Sequence, residues 1–122
     1  MADHGVWNVS EVDKTNPLPA DLSFRNTWLV HTPHSSTNVT QIREGGGARP
    51  HTHREHDEII FVTEGEGEFR IGDEVRLVRP GDVIVASAGT VHGPTSNSPR
   101  FVFLSVFAPE FDPANPDRVF LD

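Results

Sequence analysis

Residues 50–58, with the sequence PHTHREHDE, carry three histidines and three acidic residues in nine positions. His51 and His53 are two residues apart, so both imidazoles point to the same side of an extended segment. Glu58 opens the β-branched segment that follows, and His92 comes after a glycine-containing turn 34 residues further on. Three imidazoles and one carboxylate suit a divalent ion such as Fe, Mn, Ni, Cu or Zn. The alternative is a polar loop whose histidines face water.

The composition limits both the ligands and the partners. The chain of 122 residues contains no cysteine, so disulfides and thiolate ligands are excluded and a metal must be held by nitrogen or oxygen. Its formal net charge is −8, from 18 acidic and 10 basic residues, which argues against nucleic acids and anionic membranes as partners. No apolar run approaches the roughly 20 residues of a membrane span, and the first residues lack the order of a signal peptide. We expect a cytoplasmic protein with a small-molecule substrate or ligand.

Short strands separated by turns must position these residues. Ten glycines and ten prolines punctuate the chain, and segments rich in β-branched and aromatic residues lie between them. Gly72 and Asp73, for example, form the turn signal of a tight hairpin. The segments that we interpret as strands span residues 26–31, 37–43, 58–63, 68–71, 75–77, 82–86 and 100–108. No helical periodicity accompanies them, so the pattern predicts an antiparallel all-β sandwich or barrel.

The spacing between the histidines and the glycines on either side of them is a second signal. Gly45 is followed by five residues, His51-x-His53, four residues, Glu58, six residues and Gly65. This spacing resembles the first motif of the cupin superfamily, G(x)5HxH(x)3-4E(x)6G, and every anchored position is met.

A later segment resembles the second cupin motif, G(x)5PxG(x)2H(x)3N. It is matched by Gly81, five residues, Ser87-x-Gly89, two residues and His92. Ser87 stands where the family usually has proline, and Asn97 comes one residue late. Neither position is a metal ligand in the motif, so the departures concern the turn and not the site.

The resemblance covers about residues 26–108 and implies a small antiparallel β-barrel of the jelly-roll type, as in small metal-binding cupins. We expect a single domain over residues 1–122, with the barrel at 24–108. An irregular N-terminal arm at 1–23 and an irregular C-terminal tail at 109–122 would flank it. The resemblance also implies one divalent transition metal ion per chain, in the mouth of the barrel. Its ligands in the cupin pattern are His51, His53, Glu58 and His92.

Three polar residues near the first motif have open roles. His56 lies outside the motif. It either replaces or supplements Glu58 as a ligand, or it supports the ligands or faces solvent. Gln41 and Arg43 lie on the strand before the glycines, where alternate residues point to opposite faces. If their face looks into the barrel they contact substrate, and if it looks outward they are solvated.

The aromatic strand residues Phe61, Phe101 and Phe103 either wall an apolar pocket or belong to the core. With a metal beside such a pocket, we expect an enzyme, first a dioxygenase of a small metal-chelating molecule. The alternatives are a Lewis-acid isomerase, epimerase or lyase acting on a sugar or small acid, and a module that binds a small molecule without turnover. No residue besides the ligands is assigned a catalytic role. The arm and the apolar strand at 100–108 predict a homodimer.

Overall fold

The computed structural model describes residues 3–121. Within them the chain forms one short helix and ten strands. The elements are α1 (Val9–Thr15), β1 (Phe24–Thr32), β2 (Ser35–Arg43), β3 (His51–His53), β4 (Asp57–Glu64), β5 (Gly67–Ile71), β6 (Glu74–Val78), β7 (Val83–Ala86), β8 (His92–Ser96), β9 (Arg100–Ala108) and β10 (Arg118–Phe120). In this part of the chain no helix is long or apolar enough to cross a membrane.

The strands form two antiparallel five-stranded sheets. Sheet A has the order β1-β2-β9-β4-β7, and sheet B has the order β10-β3-β8-β5-β6. Strands distant in sequence are neighbours in both sheets, as the crossing connections of a jelly roll require. The all-β jelly-roll fold predicted from the sequence is therefore confirmed.

The hydrophobic core lies between the two sheets. Phe69 of sheet B packs edge-on against Phe101 and Phe103 of sheet A, with ring centroids 6.2 and 5.5 Å away. Each such ring contributes roughly 1.5–3 kcal/mol when it is removed from water. Strand β9 runs through the middle of sheet A, and its inward positions are phenylalanine except at Ser105. Phe101 is fully buried in this core.

The N-terminal arm, predicted to be irregular, contains helix α1. Asn8 caps the helix by accepting a hydrogen bond from the backbone N–H of Glu11 at 3.0 Å. The helix lies on the outer face of sheet A, where Gln41 donates to the Asp13 carboxylate at 2.7 Å and Arg100 pairs with the same carboxylate. Seven residues make barely two turns, so the helix depends on these contacts and shows no readable periodicity in the sequence.

The C-terminal tail, also predicted to be irregular, returns to the body as strand β10. Arg118 lies opposite His53 and Phe120 lies opposite His51 in the antiparallel pairing with β3. Three residues are too few to reveal an alternating pattern. The tail thus becomes the neighbour of the strand that carries two of the predicted metal ligands.

The outer face of sheet A carries an apolar patch where β4 meets β7. Ile59 pairs with Val85 and Phe61 pairs with Val83 across the two strands, and all four side chains are exposed. Phe61 is therefore directed away from the barrel interior and walls no internal pocket, because it falls on the outward parity of β4. The homodimer stays a prediction, and strand β9 is central in its sheet and not an edge.

The bend at Gly65 depends on the absence of a side chain. Gly65 has φ +77°, and a Cβ atom there would lie 1.8 Å from the carbonyl oxygen of Arg100. Gly72 has a similar φ of +59°, yet a Cβ atom would meet nothing within 4 Å. At both positions the left-handed backbone would strain a residue that has a side chain, and only at Gly65 would that side chain also clash with backbone.

We expect Gly65→Ala to lower the free energy of unfolding by about 3 kcal/mol or more, because backbone strain and a clash with backbone add together. The matched variant Gly72→Ala should lose only about 1–2 kcal/mol, from backbone strain alone. Urea unfolding followed by circular dichroism measures both. Equal losses in the two variants would contradict the assignment of a close approach at Gly65.

Candidate metal centre

Four side chains from three strands meet between the sheets. His51 and His53 come from β3, His92 from β8 and Glu58 from β4 of the opposite sheet. One donor atom from each lies within 4.8 Å of every other, and all four residues are buried. His51 and His92 are also direct cross-strand partners. The residues named by the spacing of the two motifs are thus the ones that the fold brings together.

The backbone and one carboxylate fix how the three imidazoles are turned. In each ring, Nδ1 faces an oxygen that only accepts hydrogen bonds, so Nδ1 carries a proton and Nε2 points into the cluster. The three pairs are His51 with Arg49 O at 2.6 Å, His92 with Thr90 O at 2.9 Å, and His53 with Asp117 Oδ1 at 3.1 Å. Metal-ligating histidines are held in this manner.

The acidic member of the cluster is ionised. Burial opposes the charge of Glu58, but hydrogen bonds from His53 and His92 outweigh it and lower the pKa of this carboxyl to about 2. Its Oε1 lies 2.9 Å from His92 Nε2 and 3.5 Å from His53 Nε2. A permanent negative charge therefore sits against the inward nitrogens.

The histidines differ in their affinity for a proton. Burial lowers the pKa of His51 to about 4, so this ring is neutral at neutral pH. Burial also acts to lower the pKa of His92, yet the hydrogen bond and the charge of Glu58 raise it above the ordinary value. Because both nitrogens of His92 face acceptors, this ring holds a second proton that a cation in the cluster would replace.

The donor set fits a single divalent ion. Three inward nitrogens and one carboxylate oxygen are the ligands of a borderline transition metal, and the mixture does not select among Fe, Mn, Ni, Cu and Zn. Burying three imidazoles at one point destabilises a core unless they have partners. A cation between them would be a partner for all three inward nitrogens. The site therefore fits one metal ion per chain.

Asp117 was not predicted from the sequence. It lies outside the cluster and accepts a hydrogen bond from one of its histidines. Its Oδ1 accepts from His53, and its Oδ2 accepts from His56 Nδ1 at 2.8 Å and from the Glu55 backbone at 2.7 Å. Burial would raise the pKa of Asp117, but the bond from His56 and those from Glu55 and His53 lower it to about 2. This anion comes from the tail, 64 residues from His53, where no spacing signal exists.

The structure places His56 outside the cluster. Its Nδ1 faces Asp117, and its Nε2 lies 2.8 Å from the carbonyl oxygen of Glu110. Burial acts to lower the pKa of His56, but Asp117 and the Glu110 carbonyl raise it, as expected for a ring with an acceptor at each nitrogen. His56 therefore supports the Asp117 that orients His53, and no free nitrogen is left to bind a metal.

The cavity beside the cluster has a polar wall and an aromatic wall. Asn38 and Thr40 of β2 line it together with Phe103, which was predicted as a pocket residue from the sequence.

Gln41 and Arg43 lie on the other face of β2 and contact the N-terminal arm, where Arg43 donates to the Pro19 carbonyl at 2.8 Å. Their assignment to the pocket is corrected accordingly. The sequence did not settle the face because both faces of β2 carry polar residues.

Tryptophan and phenylalanine rings complete the aromatic wall. Trp28 stacks on Phe111 at 5.6 Å between centroids, and Phe107 lies 4.6 Å from Phe111. The ring of His53 meets Phe107 and Phe111 edge-on at 5.3 and 5.5 Å. This wall packs one ligand ring in place and keeps water from that side of the cluster. Phe111 belongs to the tail, where no pattern in the sequence pointed to a pocket residue.

Comparisons with known proteins agree with this geometry. The family model described as Cupin domain matches residues 38–107. The pectin degradation protein KdgF of Dickeya dadantii (strain 3937) is 33% identical over 67 residues, which are 55% of this chain and 61% of that protein. The chain spans about three-fifths of the length of the curated relatives it matches.

Solved structures are similar over more of the chain. The structure of KdgF from Halomonas sp. has a TM-score of 0.74 and 28% identity, over 80% of this chain and 89% of that chain. A conserved protein with a double-stranded β-helix domain from Klebsiella pneumoniae subsp. pneumoniae MGH 78578 has a TM-score of 0.80 and 24% identity, over 98% and 99% of the two chains. The second likeness concerns the fold alone.

We expect the purified protein to bind about one transition metal per chain, and His51→Ala or His92→Ala to remove most of it, because each deletes an inward nitrogen. The matched variant His56→Ala should retain the metal, since both of its nitrogens face acceptors outside the cluster. Elemental analysis after chelation and reloading measures the content. Metal loss in His56→Ala with retention in Glu58→Ala would contradict the ligand set.

We expect metal affinity to fall as pH falls. The pKa of His92 is raised, and its Nε2 must lose a proton before it can bind a metal. Below that pKa the apparent affinity should drop by up to about tenfold per pH unit, for one proton displaced per ion. Calorimetric titration with Zn²⁺ at several pH values, in buffers of different ionisation heat, measures both affinity and protons released. An affinity independent of pH between about 5 and 8 would contradict this coupling.

Proposed function

Because this chain belongs to the cupin domain family, we propose that it is a metal-dependent enzyme that acts on a small acidic sugar as an isomerase, epimerase or lyase. The observation that carries the proposal is the buried cluster of three imidazoles and one carboxylate opening onto a cavity with a polar wall. The similarity to two KdgF proteins, one of which is named for pectin degradation, supports a sugar acid as substrate.

A divalent ion bound by the four ligands would supply Lewis acidity towards a carbonyl or hydroxyl oxygen of the substrate. Two features of the site favour such a role: the charge of Glu58 and the restricted access of water. Glu58 is ionised, and its charge offsets part of that of a cation. The aromatic rings at Phe107 and Phe111 lie against His53 and limit the water that reaches the cluster.

The position of Arg118 is a reason to propose an anionic substrate. Arg118 lines the same cavity as the cluster, and its guanidinium lies 5.1 Å from the ring centre of Phe120. Arg118 pairs in register with His53, so both belong to neighbouring strands at one rim of the cavity. A planar guanidinium binds a carboxylate through two parallel hydrogen bonds, and the net charge of the chain is otherwise strongly negative. We therefore assign Arg118 to the substrate carboxylate.

A dioxygenase is the second candidate. The observation that favours it is the aromatic wall formed by Trp28, Phe103, Phe107 and Phe111, which suits a planar or apolar chelating molecule. A redox-active ion such as Fe in the same ligand set would be needed for oxygen chemistry. The polar wall and Arg118 have no role in binding an apolar substrate, and for this reason we place the sugar acid first.

Turnover under two atmospheres separates these candidates. We expect protein loaded with Mn²⁺, Ni²⁺ or Zn²⁺ to convert a sugar acid released from pectin, such as galacturonate or an unsaturated uronate, equally well with and without oxygen. Nuclear magnetic resonance of the sugar measures conversion, and an oxygen electrode measures gas uptake. Metal-free His92→Ala protein is the matched control and should be inactive.

Other outcomes identify the other functions. Oxygen uptake by the Fe-loaded protein with a catechol or diketone, and no conversion of sugar acids, would establish the dioxygenase instead. Stabilisation by a ligand in thermal melting without any product would indicate a binding module, since binding to the folded state alone raises the melting temperature.

A further inference from the structure

One buried side-chain amide in the cavity has a single long hydrogen bond within the described residues. Asn38 is 3% exposed and lines the cavity beside the cluster. The hydroxyl of Thr40 lies 3.4 Å from Asn38 Oδ1, but it lies 2.8 Å from Asn26 Oδ1, and the single hydroxyl proton goes to the shorter bond. Among residues 3–121 no acceptor is paired with Asn38 Nδ2. The amide therefore presents both a donor and an acceptor to the cavity.

A hydroxyl without a partner in the described part of the chain lies beside this amide. Ser105 is the cross-strand partner of Asn38 and is 1% exposed, and its hydroxyl has no hydrogen-bond partner among the described residues. The neighbouring inward positions on β9 are Phe103 and Phe107, so Ser105 interrupts a row of rings with a small polar residue. Native folds retain buried unpaired polar groups where a ligand or an ordered water satisfies them.

The amide is at a suitable distance from the metal ligands. Ser105 pairs with Asn38 on one side and with Ile60 on the other, and Glu58 is two residues before Ile60 on the same strand. The Cα atoms of Asn38 and Glu58 are therefore about 7 Å apart along the strands and about 10 Å apart across them, or roughly 12 Å in total. Two inward side chains with a small sugar acid between them fill such a gap. Asn38 lies in sheet A, whereas His51 and Arg118 lie in sheet B. A molecule held at the cluster thus reaches the amide with its far end.

We propose that Asn38 is a specificity-determining residue, whose side-chain amide hydrogen-bonds a hydroxyl group of the substrate that the metal does not touch. The inference rests on the proposed function and deepens it, because it selects a polyhydroxylated acid over a deoxygenated or apolar one. Thr40 and Asn26 position the amide through the hydrogen bond at 2.8 Å between their side chains. A substrate without the matching hydroxyl leaves the amide unpaired and is rejected.

Binding and turnover of galacturonate and its monodeoxy derivatives test the proposal. We expect the Zn-loaded protein to bind galacturonate at least about tenfold more tightly than the one derivative that lacks the matching hydroxyl. Asn38→Ala should lose that discrimination by weakening galacturonate binding about tenfold, while binding of the same derivative stays unchanged. Asn38→Ser is the second variant in case the first does not fold. Calorimetry measures binding, with metal content and melting temperature recorded for each variant.

Thr37→Ala, on the same strand but on its outer face, is the matched control and should bind all the sugars as the unaltered protein does. If Asn38→Ala and Asn38→Ser keep their metal and still discriminate as before, the role of Asn38 is overturned while the proposed function stands. If the unaltered protein neither binds nor converts any of these acids, the proposed function fails, and the inference fails with it.

Discussion

Three imidazoles and a carboxylate are buried at one point between two sheets, and the rest of the structure is arranged around the cost of placing them there. A buried charge or unpaired polar group destabilises a fold unless it is matched by a partner. Here every outward nitrogen is satisfied by a backbone carbonyl or by Asp117. The inward nitrogens and the Glu58 carboxylate face one another at the place where a cation would lie.

The cluster also joins the two halves of the fold. Glu58 comes from sheet A and the three histidines come from sheet B, so the ligands meet across the interior and not along one surface. The hydrophobic core formed by Phe69, Phe101 and Phe103 lies further into the same interior and holds the sheets at their separation. Core packing therefore sets the distance between donor atoms that a metal requires, and core and site are not independent parts of the molecule.

The sequence carried much of this information, though unevenly. Its punctuation by glycine and proline and its alternating segments were enough for the all-β fold, and two motif spacings pointed to the four residues whose donor atoms converge. Helix α1 was missed because seven residues show no periodicity, and the face of β2 was undetermined because Asn38 and Gln41 are both polar. Asp117 could not be predicted from the sequence, because its hydrogen bond with His53 forms only once the tail has folded back onto β3.

The position of that carboxylate has a thermodynamic consequence. Strand β10 adds the tail to the edge of β3, and Asp117 at its start orients one metal ligand. Docking of the tail and occupation of the cluster therefore stabilise each other, and the coupling free energy is the same in both directions. A bound ion holds strand β10 against β3, and strand β10 with Asp117 helps to hold the ion. Loss of the ion and detachment of residues 117–120 are therefore parts of one equilibrium, although these residues supply no ligand.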